Sequence, residues 1–85
     1  MTSNRDLIRG FIIKNFYVPD ASALSDDTSL LDAGIVDSTG VLELTAFLEL
    51  QLGITIADSD IVPENLDTIA RIVAFVAKKQ AACAA

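Results

Sequence analysis

Residues 37–40, "DSTG", place a hydroxyl between a carboxylate and a glycine, just ahead of an apolar pattern with helical spacing. Two chemistries are open to Ser38. It can cap the helix, its Oγ accepting from backbone amides of the first turn. Alternatively Asp37 takes the cap, Ser38 moves into the first turn, and its hydroxyl points outward where it can be esterified. A phosphate attached there would sit beside unpaired N–H groups at the positive end of the helix. Thr39 is a rival for either task, and Gly40 is expected to leave the surface beside it uncrowded. On the residues alone, capping and attachment both stand.

Other reactive groups are scarce. With no His and a single Cys, Cys83 in the tail "AACAA", no Ser-His-Asp or Cys-His arrangement can form, so the chain by itself is not expected to be an enzyme. "DSDIVPEN" has paired acids but lacks the third ligand, central Gly and terminal Glu of a calcium loop, and no resident metal is expected. Asp26 with Asp27, and Asp58 with Asp60, read as turn and cap residues.

The elements that must position Ser38 follow from periodicity. From about Asn4 to Phe16, the residues Leu7, Ile8, Phe11, Ile12 and Phe16 share one side of a first helix. A long connection follows, in which Pro19, Gly34 and short polar side chains favour turns while Leu24, Leu30, Leu31 and Ile35 can anchor it to a core. The second helix runs from about Ser38 to Leu52, with Val41, Leu44, Leu48 and Leu52 inward and Gly53 as its stop. Ile54 and Ile56 alternate as in a strand, but no partner strand exists for them. A short helix near Asp58 to Val62 is expected instead, limited by Pro63. Asp67 should cap a last helix to about Lys79, with Ile69, Ile72, Val73 and Val76 buried. The prediction is an all-α fold, a small four-helix bundle with three longer helices and one short one. It forms a single domain over 1–85, its core about 4–79 and its tail 80–85.

Composition supports this picture. Eighty-five residues with 52% hydrophobic content and no Trp suit one aliphatic core without disulfides. The net charge is −6, and its distribution is uneven. Arg5, Arg9, Lys14, Arg71, Lys78 and Lys79 lie toward the ends, while every acid except Asp6 falls between Asp20 and Asp67. Such a field repels nucleic acid and anionic lipid and attracts a partner presenting Arg and Lys, unless it serves only solubility. No apolar run reaches the roughly 18 residues that span a bilayer, and no secretory signal is evident, so a cytoplasmic monomer is the expectation.

The order "LLDAGIVDS", then "VLELTAFLELQLGI", further acids and a final amphipathic helix resembles the acyl carrier protein family, the phosphopantetheine-bearing carriers, from Leu7 to Val76. The resemblance implies that Ser38 carries a covalent 4'-phosphopantetheine arm holding an acyl thioester. It also implies that Asp37 helps a phosphopantetheinyl transferase hold its magnesium. That transferase, an acyl- or aminoacyl-activating ligase and acyl-accepting enzymes are the implied partners. Leu42, Glu43, Ala46 and Glu49 match partner-contact positions, and Thr39, Asp58 and Asp60 are expected to contact partners as well. Phe47 and Leu50 lie away from the Leu44 and Leu48 stripe and could form an apolar docking patch. Leu48, Ile56, Ile61, Val62 and Ile69 could line an acyl chain, or simply pack the core.

Fatty-acid carriers usually have Leu or Met after the serine and a polar residue next, where this chain has Thr39 and Gly40. Its Asp-Ser-x-Gly order is similar to that of D-alanyl carrier proteins, discrete carriers served by ATP-using ligases. The expectation is therefore an acyl carrier in a specialised branch of fatty-acid, lipid or related synthesis. An aminoacyl carrier, D-alanyl-like or nonribosomal, is the alternative. An unmodified acidic helical adaptor is the alternative of another class.

Overall fold

Ser3 opens the first helix, its Oγ accepting from the Asp6 amide at 3.1 Å in the computed structural model, which describes residues 3–16, 18, 20, 22 and 24–84, with side chains as far as 81. This helix, α1, covers Asn4–Asn15 and buries Ile8 and Ile12. The second, α2, covers Ser38–Leu52 and ends at Gly53, whose positive φ of 66° is a left-handed stop that favours glycine. Then come a 3₁₀ turn at Asp58–Asp60, a short helix α3 at Pro63–Leu66, and the last helix α4 at Ile69–Ala84. No strand occurs among the described residues, and no helix among them is long and apolar enough to cross a membrane. Pro19 and the side chain of Cys83 lie outside the described residues.

The core is aliphatic, as the periodicities require. Ile8, Ile12, Leu30, Leu44, Leu48, Ile69, Ile72 and Val76 are fully buried, with Leu24, Val36, Ile54, Leu66 and Phe75 nearly so. α1 and α3 both pack on α4. Val41 and Leu52, toward the two ends of α2, are only partly covered, and so is Val73, at the margin of the Ile69, Ile72 and Val76 stripe. Val36 and Phe75 join the core although neither falls on an expected stripe. Leu31 remains 37% exposed, because the turn at residues 30–34 directs it outward while Leu30 beside it goes in.

Asp67 explains how so long a connection stays ordered. It does not cap α4. Thr68 does so, its Oγ1 accepting from the Arg71 amide at 3.0 Å. The Asp67 carboxylate turns the other way, accepting from Ser29 Oγ at 2.7 Å and the Leu31 amide at 3.2 Å, while its carbonyl accepts from the Leu30 amide at 2.7 Å. The Ala70 amide donates to the Asp26 carbonyl at 3.0 Å, and Arg9 donates to the Leu24 carbonyl. The connection is thereby stitched to α1 and to the start of α4.

Two further boundaries differ from expectation. The turn near Asp58 is a single 3₁₀ turn, and Pro63 starts a helix instead of limiting one. Proline fits the first helical position because its missing N–H would be unpaired there anyway. At the other end α4 continues to Ala84, since alanines after Lys79 are strong helix formers.

Two ion pairs tie sequence-distant segments together. Arg5 Nε donates to both oxygens of Asp26, at 2.9 and 2.7 Å, and Lys79 Nζ lies 2.6 Å from Asp60 Oδ2. The hydrogen bonds from Arg5 and from Lys79 hold the Asp26 and Asp60 carboxyls below the usual aspartate range. A depressed folded-state pKa adds stability above the unfolded value of about 3.9, and that stability disappears as pH falls through the folded value. The Asp26→Asn, Asp60→Asn double variant should therefore melt below the wild type at pH 6. The gap should narrow as pH falls below the unfolded value of about 3.9 and through the lowered folded-state values, as thermal melts across that range will test.

Candidate functional site

The start of α2 decides the question posed by residues 37–40. Asp37 is extended, with φ −107° and ψ −173°, and its Oδ1 accepts from the Gly40 amide at 2.7 Å while its carbonyl accepts from Val41 at 2.9 Å. Asp37 is thus the cap. Ser38 becomes the first helical residue, exposed, and among the described residues its hydroxyl has no hydrogen-bond partner. The amides of Ser38 and Thr39 precede the first intrahelical bond and keep their donors free for an anion.

Gly40 has a different role from the one expected. It is buried, not open to solvent: a Cβ built there would stand 2.7 Å from Phe16 Cε1 and 3.3 Å from Asp37 Oδ1. The glycine admits the Phe16 ring beneath the cap. Phe16 in turn packs edge-on to Phe11, with centroids 5.9 Å apart, and Phe11 stacks on Phe47 at 3.9 Å. This aromatic run joins the end of α1 to α2. Gly40→Ala gains about 1 kcal/mol of helix propensity. It forces the ring aside at an overpacking cost of about 1–3 kcal/mol, so a net loss of about 1 kcal/mol in chemical denaturation is the expected result.

Ser38 also borders a groove. Leu31, Ser38, Val41, Leu42, Ile61, Val62, Pro63 and Leu66 line a cavity of about 220 Å³ between α2 and the corner leading into α3. Its rim is apolar and open, with Leu42 59% exposed and Leu31 and Val62 each 37%. Thr39 is exposed but does not line the groove. Of the residues considered for acyl-chain lining, only Ile61 and Val62 face this space. Leu48 and Ile69 are sealed in the core, and Ile56 packs against that core away from the groove. Leu31, Val41, Pro63 and Leu66 were not among those candidates. Val41 was accessible from spacing, since positions i+3 and i+4 share a face with Ser38. Leu31, Pro63 and Leu66 come from other segments and carry no such signal.

The possible partner-contact residues divide similarly. Thr39, Leu42, Glu43, Ala46, Leu50 and Asp58 are exposed, Leu50 by 81%. Glu49 is exposed too, although its Oε2 accepts from the Ile56 amide at 3.1 Å. Phe47 is half-buried, its ring stacked on Phe11 of α1, so it is less open to a partner than Leu50. Asp60 is committed inside the molecule, to Lys79 at 2.6 Å and to the Ala57 amide at 3.0 Å. Among the described residues no group of three or more Cys, Asp or Glu side chains is placed to hold a metal ion.

A free primary hydroxyl beside unpaired amides and an open apolar groove suits a phosphate-linked arm. Comparison with known proteins agrees. Residues 6–76 match the family model described as a phosphopantetheine attachment site. The D-alanyl carrier protein of Streptococcus suis strain 05ZYH33 is 35% identical over 65 residues, covering 76% of this chain and 81% of that protein. That of Abiotrophia defectiva is 36% identical over 56 residues, 66% of this chain and 71% of the relative. D-alanyl carrier protein 2 of Lactiplantibacillus plantarum is 43% identical over 54 residues, 64% of this chain and 68% of the relative. These relatives give no support to fatty-acid or lipid synthesis as the setting.

Proposed function

Since the chain belongs to the phosphopantetheine attachment-site family and is a carrier that takes 4'-phosphopantetheine, we propose that Ser38 is its attachment residue and a small aminoacyl group of the D-alanyl type its cargo. When bound, the arm supplies a terminal thiol on which the cargo is held as a thioester. The chain's own residues have simpler tasks. Ser38 Oγ forms a phosphodiester with the phosphopantetheine half of coenzyme A as the pyrophosphate linkage breaks and the nucleotide half leaves. The serine proton passes to a base of the transferase, because this chain has no His to accept it.

The observation that carries the site is the division of labour between Asp37 and Ser38. Asp37 satisfies the helix end, leaving the neighbouring hydroxyl without a partner among the described residues. The cap uses Oδ1, so the Asp37 carboxylate, next to Ser38 in sequence, keeps a second oxygen that can serve a transferase-held magnesium ion. The names of the relatives support an aminoacyl cargo. So does the full burial of Leu48 and Ile69, which line no part of the groove beside Ser38. On this reading the partners are a phosphopantetheinyl transferase, an ATP-using ligase that activates the amino acid, and an enzyme that accepts the aminoacyl group. Carriers of this kind are generally not catalysts themselves.

Intact-mass measurement after incubation with coenzyme A, magnesium and a broad-specificity transferase tests the site. One phosphopantetheine should be added, and fragmentation should place it on Ser38. An unmodified chain would instead favour the acidic adaptor, and addition at Thr39 would overturn the assignment. The cargo is read from the thioester on holo protein isolated from its own cells: an alanyl mass supports the proposal, a long acyl mass refutes it.

A further inference from the structure

We infer that Lys79 is a positioning residue for the Ser38 groove: by tethering Asp60 it holds the corner at Ile61 and Val62 as the groove's far wall, on which an enzyme esterifying Ser38 must dock. The inference rests on Ser38 as the attachment site, but the wall itself does not. Residues 53–57 lack regular structure, and the segment from Gly53 to Val62 has few fixed points. Ile54 is buried, the Ile56 amide is held by Glu49, and the rest converges on Asp60. The Asp60 carboxylate accepts from the Ala57 amide and from Lys79, and its carbonyl accepts from the Val62 amide at 2.9 Å and from Asn65 Nδ2 at 2.9 Å. Ile61, between those bonds, has φ −84° and ψ 76°, the inverse γ-turn that makes the corner.

All of these bonds except one are local. Among the described residues, the Lys79 ion pair is the polar link from the corner to a distant element, the second half of α4, beside the packing of Ile61 on the core; the Lys79 side chain is only 27% exposed and also lies 5.7 Å from the centre of the Phe75 ring. Phe75 is itself part of the core, so the tether leads back to packed structure. Beyond the corner, Ile61 and Val62 face Ser38, Val41 and Leu42 across the groove. An enzyme reaching Ser38 Oγ covers that apolar rim, so its affinity depends on where the wall stands.

Transfer kinetics with coenzyme A, magnesium and a broad-specificity transferase, at varied carrier concentration, separate this role from a merely structural one. Lys79→Ala should raise KM for the carrier about three- to fivefold with kcat unchanged, the signature of lost binding shared by ground and transition states. Lys79→Arg should restore KM to within about twofold, because the guanidinium can keep the pair. Lys78→Ala, which removes a neighbouring charge without the tether, should match the wild type. Equal KM in Lys79→Ala and wild type, or an equal rise in Lys78→Ala, overturns the docking role. Amide exchange at Ile61 and Val62 in the unloaded chain reports the wall directly. Faster exchange in Lys79→Ala alone is expected, and unchanged exchange overturns the tether even if Ser38 proves not to be the modified residue.

Discussion

Ser38→Ala should abolish phosphopantetheine addition while leaving the fold as stable as before. The hydroxyl has no partner among the described residues, so its removal breaks nothing. Alanine is also the best helix former, and at the exposed first position the change in stability should stay within about 0.5 kcal/mol. Asp37→Ala is the informative contrast. It removes the bond to the Gly40 amide and should cost about 1 kcal/mol as a lost cap. Asp37→Asn keeps an acceptor for that amide but gives up the charge. If the carboxylate helps hold the transferase's magnesium, both Asp37 variants should load at least about tenfold more slowly, an effect of charge-assisted contact. Only the alanine should melt earlier. Thr39→Ala should load normally, since Thr39 lies outside the groove. Mass spectrometry and thermal melts on the same four proteins distinguish these outcomes, and loading of Ser38→Ala at the wild-type rate would sink the assignment.

Leu48→Ala should be among the most damaging substitutions in the chain, and Leu50→Ala among the mildest. Leu48 is fully buried, whereas Leu50 is 81% exposed on the same helix. Truncating a buried leucine costs about 2–5 kcal/mol, because the lost transfer energy is joined by the cavity left behind. A domain of this length holds a total stability of about 4–13 kcal/mol, so the variant should melt at least about 10 °C lower or be largely unfolded. Leu50→Ala should shift stability by no more than about 0.5 kcal/mol. Its effect should appear instead in loading by a partner enzyme, if its apolar side chain is a docking contact. Near-equal melting of the two variants would mean that Leu48 lines an adaptable cavity and not a packed core.

Much of the architecture was legible because helices report their buried face directly in spacing. Ile8 with Ile12, Leu44 with Leu48, and Ile69, Ile72 and Val76 all lie where a period of 3.6 puts them. The ends were less legible. Thr68 and Asp67 are both good caps by type, and only the packing of the connection against α4 gives the cap to Thr68 and turns Asp67 toward Ser29 and Leu31. Asp60 reads as a surface acid until α4 brings Lys79 to it.

At the site the division is equally clear. Residue types and order alone fixed that an acid, a hydroxyl and a glycine would meet the start of an apolar helix, and that no histidine could activate that hydroxyl from within. Those facts are local or compositional and survive any arrangement of the chain. Tertiary structure decided the rest: that Asp37 caps and frees Ser38, that Gly40 serves the Phe16 ring, and that Leu31, Leu42 and Val62 meet around one groove. The first is a choice among local hydrogen bonds, but the other two depend on contacts between segments far apart in sequence. Such contacts are set by how volumes fill a shared core, which no single stretch of residues encodes.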